Sequence, residues 1–256
     1  MYLDDERNIV SLYSSYREFL TIEMFPCNNS FIKRIDKCLS CESNFIADNG
    51  KTSLPPDFYS PEFNLMFDVF RVCDSEVRKG YDPVRIRERE LYNKIKREHA
   101  DVLSPTAEVF VSCDIVKQGL YTYKYYVKQF QRVSSEHLKK LHLWTEKHPD
   151  IRYKGLFVFD ETDVYFEGAS VPSGKSEPGH EWFRVIDRCR GFHKPWLDER
   201  MVRSVYESEI DFIVWLCIGK PYGVADRLGI AYPHGAIIDA RYGFSKYVDY
   251  PISLVS

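Results

Sequence analysis

The chain has no long hydrophobic run. Its longest strongly apolar stretch covers residues 212–218, whereas a helix crossing a bilayer takes about 20 such residues. The amino terminus, Met1-Tyr2-Leu3-Asp4-Asp5-Glu6, is acidic where an export signal is basic and then apolar. These two absences predict a non-membrane, cytoplasmic protein. Paired cysteines are also missing: the seven thiols at 27, 38, 41, 73, 113, 189 and 217 form an odd, scattered set, unlike a disulfide framework. Cys38-Leu39-Ser40-Cys41 has the spacing of half a zinc knuckle, but no second pair or His-x₃-His accompanies it. No Gly-rich phosphate loop, Gly-x-Ser-x-Gly elbow or His-Glu-x-x-His is present, which leaves NTPase, serine hydrolase and zincin chemistries without support. With a net charge of −3 the chain has no global attraction for nucleic acid or acidic lipid, so any such contact must be local.

What is present suits one large α/β domain. An apolar share of 44% and a charged share of 29% over 256 residues are those of a globular chain, and 18 Tyr with 17 Phe favour a sheet. Apolar residues at helical spacing predict a helix over residues 5–25, closed by Pro26, a second over 29–40 and a long amphipathic one over 123–147. Turn formers fill residues 48–57. Strands are predicted at 64–73, 106–117, 212–218 and 236–241, and a hairpin at 155–160 with 164–167. A short helix is predicted over 197–209. Residues 83–99 read as an exposed helix in a charged insertion near 80–104, and the Ser-, Gly- and Pro-rich stretch 168–179 reads as a mobile loop. The expected architecture is a single domain over 1–256, a mixed sheet flanked by helices.

Chemistry is sought where a charge must be buried. In residues 64–72, Leu65, Phe67 and Val69 share one face while Met66, Phe70 and Val72 share the other with Asp68. An unpaired carboxylate in such a place costs several kcal/mol, so Asp68 must be paired, protonated, metal-bound or turned to a cleft. The predicted strand 106–117 puts Glu108, Phe110, Ser112 and Asp114 on one face. Beside Asp68, Glu108 and Asp114 would form a set of hard oxygen donors suited to Mg²⁺; a solvated strand face explains the same alternation. His137 falls in the apolar arc of the long helix and reads as a satisfied core histidine. Asp160, Glu161 and Asp163 read as a metal site or, the preferred reading, a solvated turn; Asp239 reads as a partner of Arg241, and Pro55-Pro56-Asp57 as a turn.

This order of helix, strand with Asp, strand with Glu, long helix and strand, over about residues 10–167, resembles the αβββαβ core of the PD-(D/E)XK nuclease-like superfamily. The resemblance implies a restriction-endonuclease-like core with insertions and Mg²⁺-dependent hydrolysis of phosphodiesters. Asp68 would match the family's Asp, Glu108 the acid of its Glu-X-Lys, and Glu18 the acid of its first helix. The third motif reads Glu108-Val109-Phe110, without lysine, so its cation would come from Lys117, Lys128 or Arg132. The candidate catalytic set is then Asp68, Glu108 and Lys128, and the metal ligands are Asp68, Glu108 and Asp114. Lys124, Lys128, Arg132 and Lys139 on the long helix are candidate contacts to nucleic acid, with a solvated helix face as the plain alternative. Two functions stay open: a nuclease-like protein, active or catalytically inactive, that acts on or binds nucleic acid; and a non-enzymatic module that binds another protein through an α/β core and the 168–179 loop.

Overall fold

The computed structural model describes residues 6–48, 56–72, 123–161, 194–217 and 233–242, with short helical pieces at 90, 93–95 and 97–98. The predicted strand 106–117, the return arm 164–167, the 168–179 loop and most of the 80–104 insertion lie outside the described residues.

Seven strands form one mixed sheet in the order β1-β7-β6-β5-β4-β3-β2. They are β1 (Ile22–Phe25), β2 (Ile46–Ala47), β3 (Phe58–Ser60), β4 (Leu65–Val72), β5 (Tyr153–Asp160), β6 (Phe212–Leu216) and β7 (Gly235–Asp239). β4, β5 and β6 run parallel, β2, β3 and β4 form an antiparallel meander, and β7 is antiparallel to β6 and parallel to β1. A parallel strand covered on both faces needs a nearly unbroken apolar run. Phe212-Ile213-Val214-Trp215-Leu216 meets that demand, and all of β6 is buried.

The pleat sorts side chains into two cores. Leu65, Phe67 and Val69 of β4 pack with α1 (Glu6–Tyr16) and α2 (Ser30–Leu39), whereas Met66, Phe70 and Val72 pack with α3 (Tyr123–Leu138), α4 (Leu141–Lys147) and α5 (Glu199–Tyr206). The result is a helix–sheet–helix sandwich whose β4 faces are those read from the sequence.

The two helices of the first layer are joined through Asp36. It accepts from the Tyr13 hydroxyl at 2.6 Å and from Arg17 through Nε at 2.5 Å and Nη2 at 2.9 Å, a charge-assisted fork. Burial and the adjoining Asp36 carboxylate together push the Tyr13 hydroxyl well above its ordinary pKa. At α2, Asn29 caps the first turn by accepting from the Phe31 amide at 2.7 Å. Asp198 does the same for α5, accepting from the Arg200 amide at 2.9 Å. Because Asp198 is buried, Asp198→Ala is expected to lower stability by about 1–2 kcal/mol, read as a lower urea midpoint at unchanged slope.

Three predicted elements differ in the structure. The first helix ends at Tyr16, a 3-10 turn covers Arg17–Phe19, and Ile22–Phe25 is an edge strand rather than helix. Pro26 disfavours helical backbone at Phe25, and the open edge of β7 offers a parallel ladder, Ile22 to Gly235 through Phe25 to Ile238. The long helix is interrupted after Leu138 by non-helical backbone at Lys140, yet Leu141 and Trp144 stay buried in the core that holds Phe130. Both edges of β5 are taken in parallel by β4 and β6, so β5 offers no edge to a hairpin partner.

Candidate active site

The site lies where β3 parts from β4. The ladder between these strands pairs Ser60 with Leu65 and Phe58 with Phe67, so the next step in register sets Asp57 opposite Asp68. Side chains take over from the main chain at that step. The Asp57 amide donates to Asp68 Oδ1 at 3.0 Å, and the Val69 amide donates to Asp57 Oδ2 at 2.7 Å. On its other side Asp57 is held by the residue that follows β2, its carbonyl accepting from the Asp48 amide at 2.8 Å. Two carboxyl groups are thereby fixed beside each other by backbone that cannot easily move.

Asp68 is 2% exposed and its side chain points into the α3 layer. There it meets His137, whose Nδ1 lies 2.6 Å from Asp68 Oδ2. The imidazole also stacks on Phe70, two residues along the same face of β4, with ring centroids 5.1 Å apart and planes inclined by 28°. At about 100° per residue, seven residues carry His137 to the side of α3 that buries Phe130. One hydrogen bond and one ring face thus fix its orientation.

Both oxygens of Asp68 have protein donors. Asp57 Oδ1 and His137 Nε2, by contrast, accept or donate no hydrogen bond among the described residues. Burial pushes the Asp57 carboxyl up to about 7, and the Asp68 carboxylate adds to the rise; the Val69 amide and His137 pull the other way. Glu6, in the first turn of α1, contributes further negative potential. The pair is short of positive charge, which a proton or a cation would supply. Among the described residues no group of three or more His, Cys, Asp or Glu is arranged to hold a metal ion. Two carboxylates remain a sufficient protein contribution for Mg²⁺, which keeps several waters in its octahedron.

Of the residues singled out in the sequence, Asp68 is buried as expected and has a histidine and a second carboxyl group as neighbours. Glu108 and Asp114 lie outside the described residues. Glu18 is exposed in the 3-10 turn after α1, in the layer on the other side of the sheet from His137. Lys128 and Arg132 are exposed on α3 and Lys139 in the turn after it; Lys128 is nine residues from His137, about half a turn away around the helix axis. Arg132 pairs with Glu136 at 3.1 Å. The Lys124 side chain lies outside what is described.

Asp57 and His137 read in the sequence as a turn residue and a satisfied core histidine, and the structure places both beside Asp68. The signal for His137 was present: it shares an arc with Phe130, and Asp68 projects into that same layer. Asp160 corrects the expectation of a solvated turn. It is buried at the end of β5 and its Oδ2 accepts from the Tyr126 hydroxyl and from Trp215 Nε1, the latter at 3.3 Å, while Glu161 pairs with Arg71 at 3.0 Å. Asp239 is held by Arg241, with Nε at 2.8 Å and Nη2 at 2.7 Å, as the sequence suggested. Cys27, Cys38 and Cys41 are free thiols, and Cys217 is buried with its thiol donating to the Pro233 carbonyl at 3.6 Å. No protein-family model, curated protein or solved structure matches the chain.

Proposed function

We propose that this chain is a nuclease-like phosphodiesterase of the PD-(D/E)XK type, with Asp57 and Asp68 as its paired acids. One observation carries the reading: where the β3–β4 ladder ends, Asp57 and Asp68 are neighbours, each carboxyl group accepting from a main-chain amide of the other segment. The order α2, β2, β3, β4, then α3 and α4, then β5 parallel to β4, supports it, since it is compatible with an αβββαβ succession carrying an insertion between β4 and α3. In this register Pro56-Asp57 supplies the first acid and Asp68-Val69-Phe70 the second, a shift from the Asp68 and Glu108 pairing suggested by sequence order.

A divalent cation bound between the pair would lower the pKa of a coordinated water and offset charge on the phosphate. Asp57 Oδ1, without a hydrogen-bond partner among the described residues, is the oxygen best placed to bind it, with Asp68 alongside. The Val69 amide on the Asp57 carboxyl group and the Asp48 amide on its main-chain carbonyl hold this residue in place before any ligand arrives, which is the preorganisation a charged site needs. In the reaction, the oxygen of water forms a bond to phosphorus as the bond to the leaving sugar oxygen breaks. The proton lost by the water and the one gained by the leaving group are exchanged with solvent. Contact between nucleic acid and the exposed Lys128 and Lys139 belongs to the same proposal, as a tether beside the site and outside it.

The test is cleavage of single-stranded and duplex DNA and RNA in Mg²⁺ or Mn²⁺, compared with EDTA. Wild type should cleave at least one of these, and Asp57→Asn and Asp68→Asn should each lose about 100-fold or more. Equal rates in wild type and both variants would overturn the assignment.

A further inference from the structure

The outer face of α2 carries Lys33, Arg34 and Lys37, all exposed. None of the three forms an ion pair among the described residues, and Lys33 and Lys37, four positions apart, repel each other along the helix. The acid of this helix, Asp36, is engaged by Arg17 and Tyr13. Beside α2 the first residues of β5 add more positive charge. The guanidinium carbons of Arg34, Arg152 and Arg241 lie 6.0, 5.2 and 5.3 Å from the centre of the Tyr153 ring. Arg241 is neutralised by the buried Asp239, whereas Arg152 is exposed and has no carboxylate partner among the described residues. We propose that this face binds a single strand of nucleic acid through its phosphates. The inference does not rest on Asp57 and Asp68, because α2 packs on the side of the sheet opposite to the one into which Asp68 points.

Cations and rings form one continuous band. Asn64 Oδ1 accepts from the Arg152 amide at 2.6 Å and the Asn64 carbonyl from the Tyr153 amide at 3.2 Å, which fixes the start of β5. Phe63, the residue before, has Lys37 Nζ 6.0 Å from its ring centre. At the other end Arg241 is braced by the Phe31 ring, 3.8 Å from its guanidinium carbon. The acids nearby are engaged as well: Asp211 accepts from the Lys154 amide at 2.9 Å, and Glu209 pairs with Lys154 at 3.3 Å. Glu62, exposed beside Phe63, makes no ion pair with Lys37. Cations placed over rings instead of carboxylates keep their charge for a ligand, a local surplus in a chain of net charge −3.

The chemistry of the partner follows from the side chains. Guanidinium forks match phosphate oxygens bidentately, and their flat faces stack on bases. An acidic peptide or a lipid surface would also need apolar anchorage, and here Phe31 and Phe63 are buried beneath the cations. Tyr242, which follows Arg241 in the chain, is 40% exposed, an aromatic surface for an unpaired base that favours a single strand over a duplex.

The test is fluorescence anisotropy of labelled oligo(dT), oligo(U) and a duplex of mixed sequence, with the full chain in EDTA so that the acid pair takes no part. Wild type should bind the single strands more tightly than the duplex. Arg34→Gln with Arg152→Gln should weaken single-strand binding about 10-fold or more at about 50 mM salt and flatten the slope of log K against log salt by about 1.4, since each phosphate contact to a single strand contributes about 0.7. Arg34→Lys with Arg152→Lys should keep the slope and lose about 3-fold, the forks being gone and the charge retained. Lys140→Gln with Arg203→Gln removes equal charge from exposed positions in the α3–α5 layer. That pair should stay within about 2-fold of wild type. Thermal melting checks the fold of each variant.

No single-strand binding by wild type, tighter binding to the duplex, or an equal loss in the two glutamine pairs would overturn the proposal. Polyglutamate that displaces the oligonucleotide at equal charge concentration would assign the face to an acidic protein segment and overturn it too. Cleavage is read separately in Mg²⁺: a chain that binds single strands in EDTA and cleaves nothing would sink the phosphodiesterase reading and leave this one standing.

Discussion

Gly235→Ala should abolish folding rather than weaken it. A Cβ at position 235 would sit 1.9 Å from the Trp215 carbonyl oxygen and 3.0 Å from its carbon, and neither can withdraw without parting β6 from β7. Both strands are fully buried, and their ladder joins β1 to the rest of the sheet. The expected cost exceeds about 4 kcal/mol, the range reserved for strain that the surroundings cannot absorb. Against a typical total of about 5–15 kcal/mol, the variant should be insoluble or show no cooperative transition in urea. Gly155→Ala is the informative contrast. Its Cβ would meet the Phe212 ring at 2.1 Å, a side chain that can be shortened. Gly155→Ala alone should be strongly destabilised, and Gly155→Ala with Phe212→Leu should recover a cooperative transition; no change at Phe212 should rescue Gly235→Ala.

The second large effect is a stability that falls as pH rises. Asp57 holds its proton up to about 7 in the folded chain, against an ordinary value of 3.8. Between those two values the folded state binds more protons than the unfolded one, so stability declines as pH increases from about 4 to 7 and is flat above. The gap sets a ceiling of about 4 kcal/mol on the loss. Asp57→Asn has no proton to give up: it should remove this slope and be more stable than wild type at pH 8, while the difference closes near pH 4. Burial raises Asp211 in the same direction, so the two slopes are best separated by subtracting the variant's pH profile from that of wild type in urea unfolding. A profile unchanged by Asp57→Asn would show that the proton resides elsewhere. The same substitution is expected to destroy cleavage, which would make Asp57 a position where activity is maintained at the expense of stability.

The sheet was legible wherever burial was two-sided. Alternation in residues 65–72 gave both faces of β4, the run 212–216 gave β6, and the helical stripe gave α3 with His137 on its inner side. Ile22–Phe25 was misread as helix because an edge strand of half-buried residues carries no strong period, and its identity depends on a partner more than two hundred residues away. Asp57 was hidden for a related reason. A carboxylate after two prolines looks like turn chemistry, and only the antiparallel register with β4 sets it opposite Asp68. The buried acid at 68 was legible as an energetic problem, whereas its solution, one partner eleven residues back and another on a distant helix, was a tertiary matter.

The pairing of the first strand with the last has a temporal consequence. Thr21 and His234 are 213 positions apart, so during synthesis the earliest strand must wait, with its hydrogen-bonding groups unmatched, until nearly the whole described chain has been made. Closing so wide a loop is the slow kind of step in sheet formation. The margin of this protein is therefore the part of its architecture completed last.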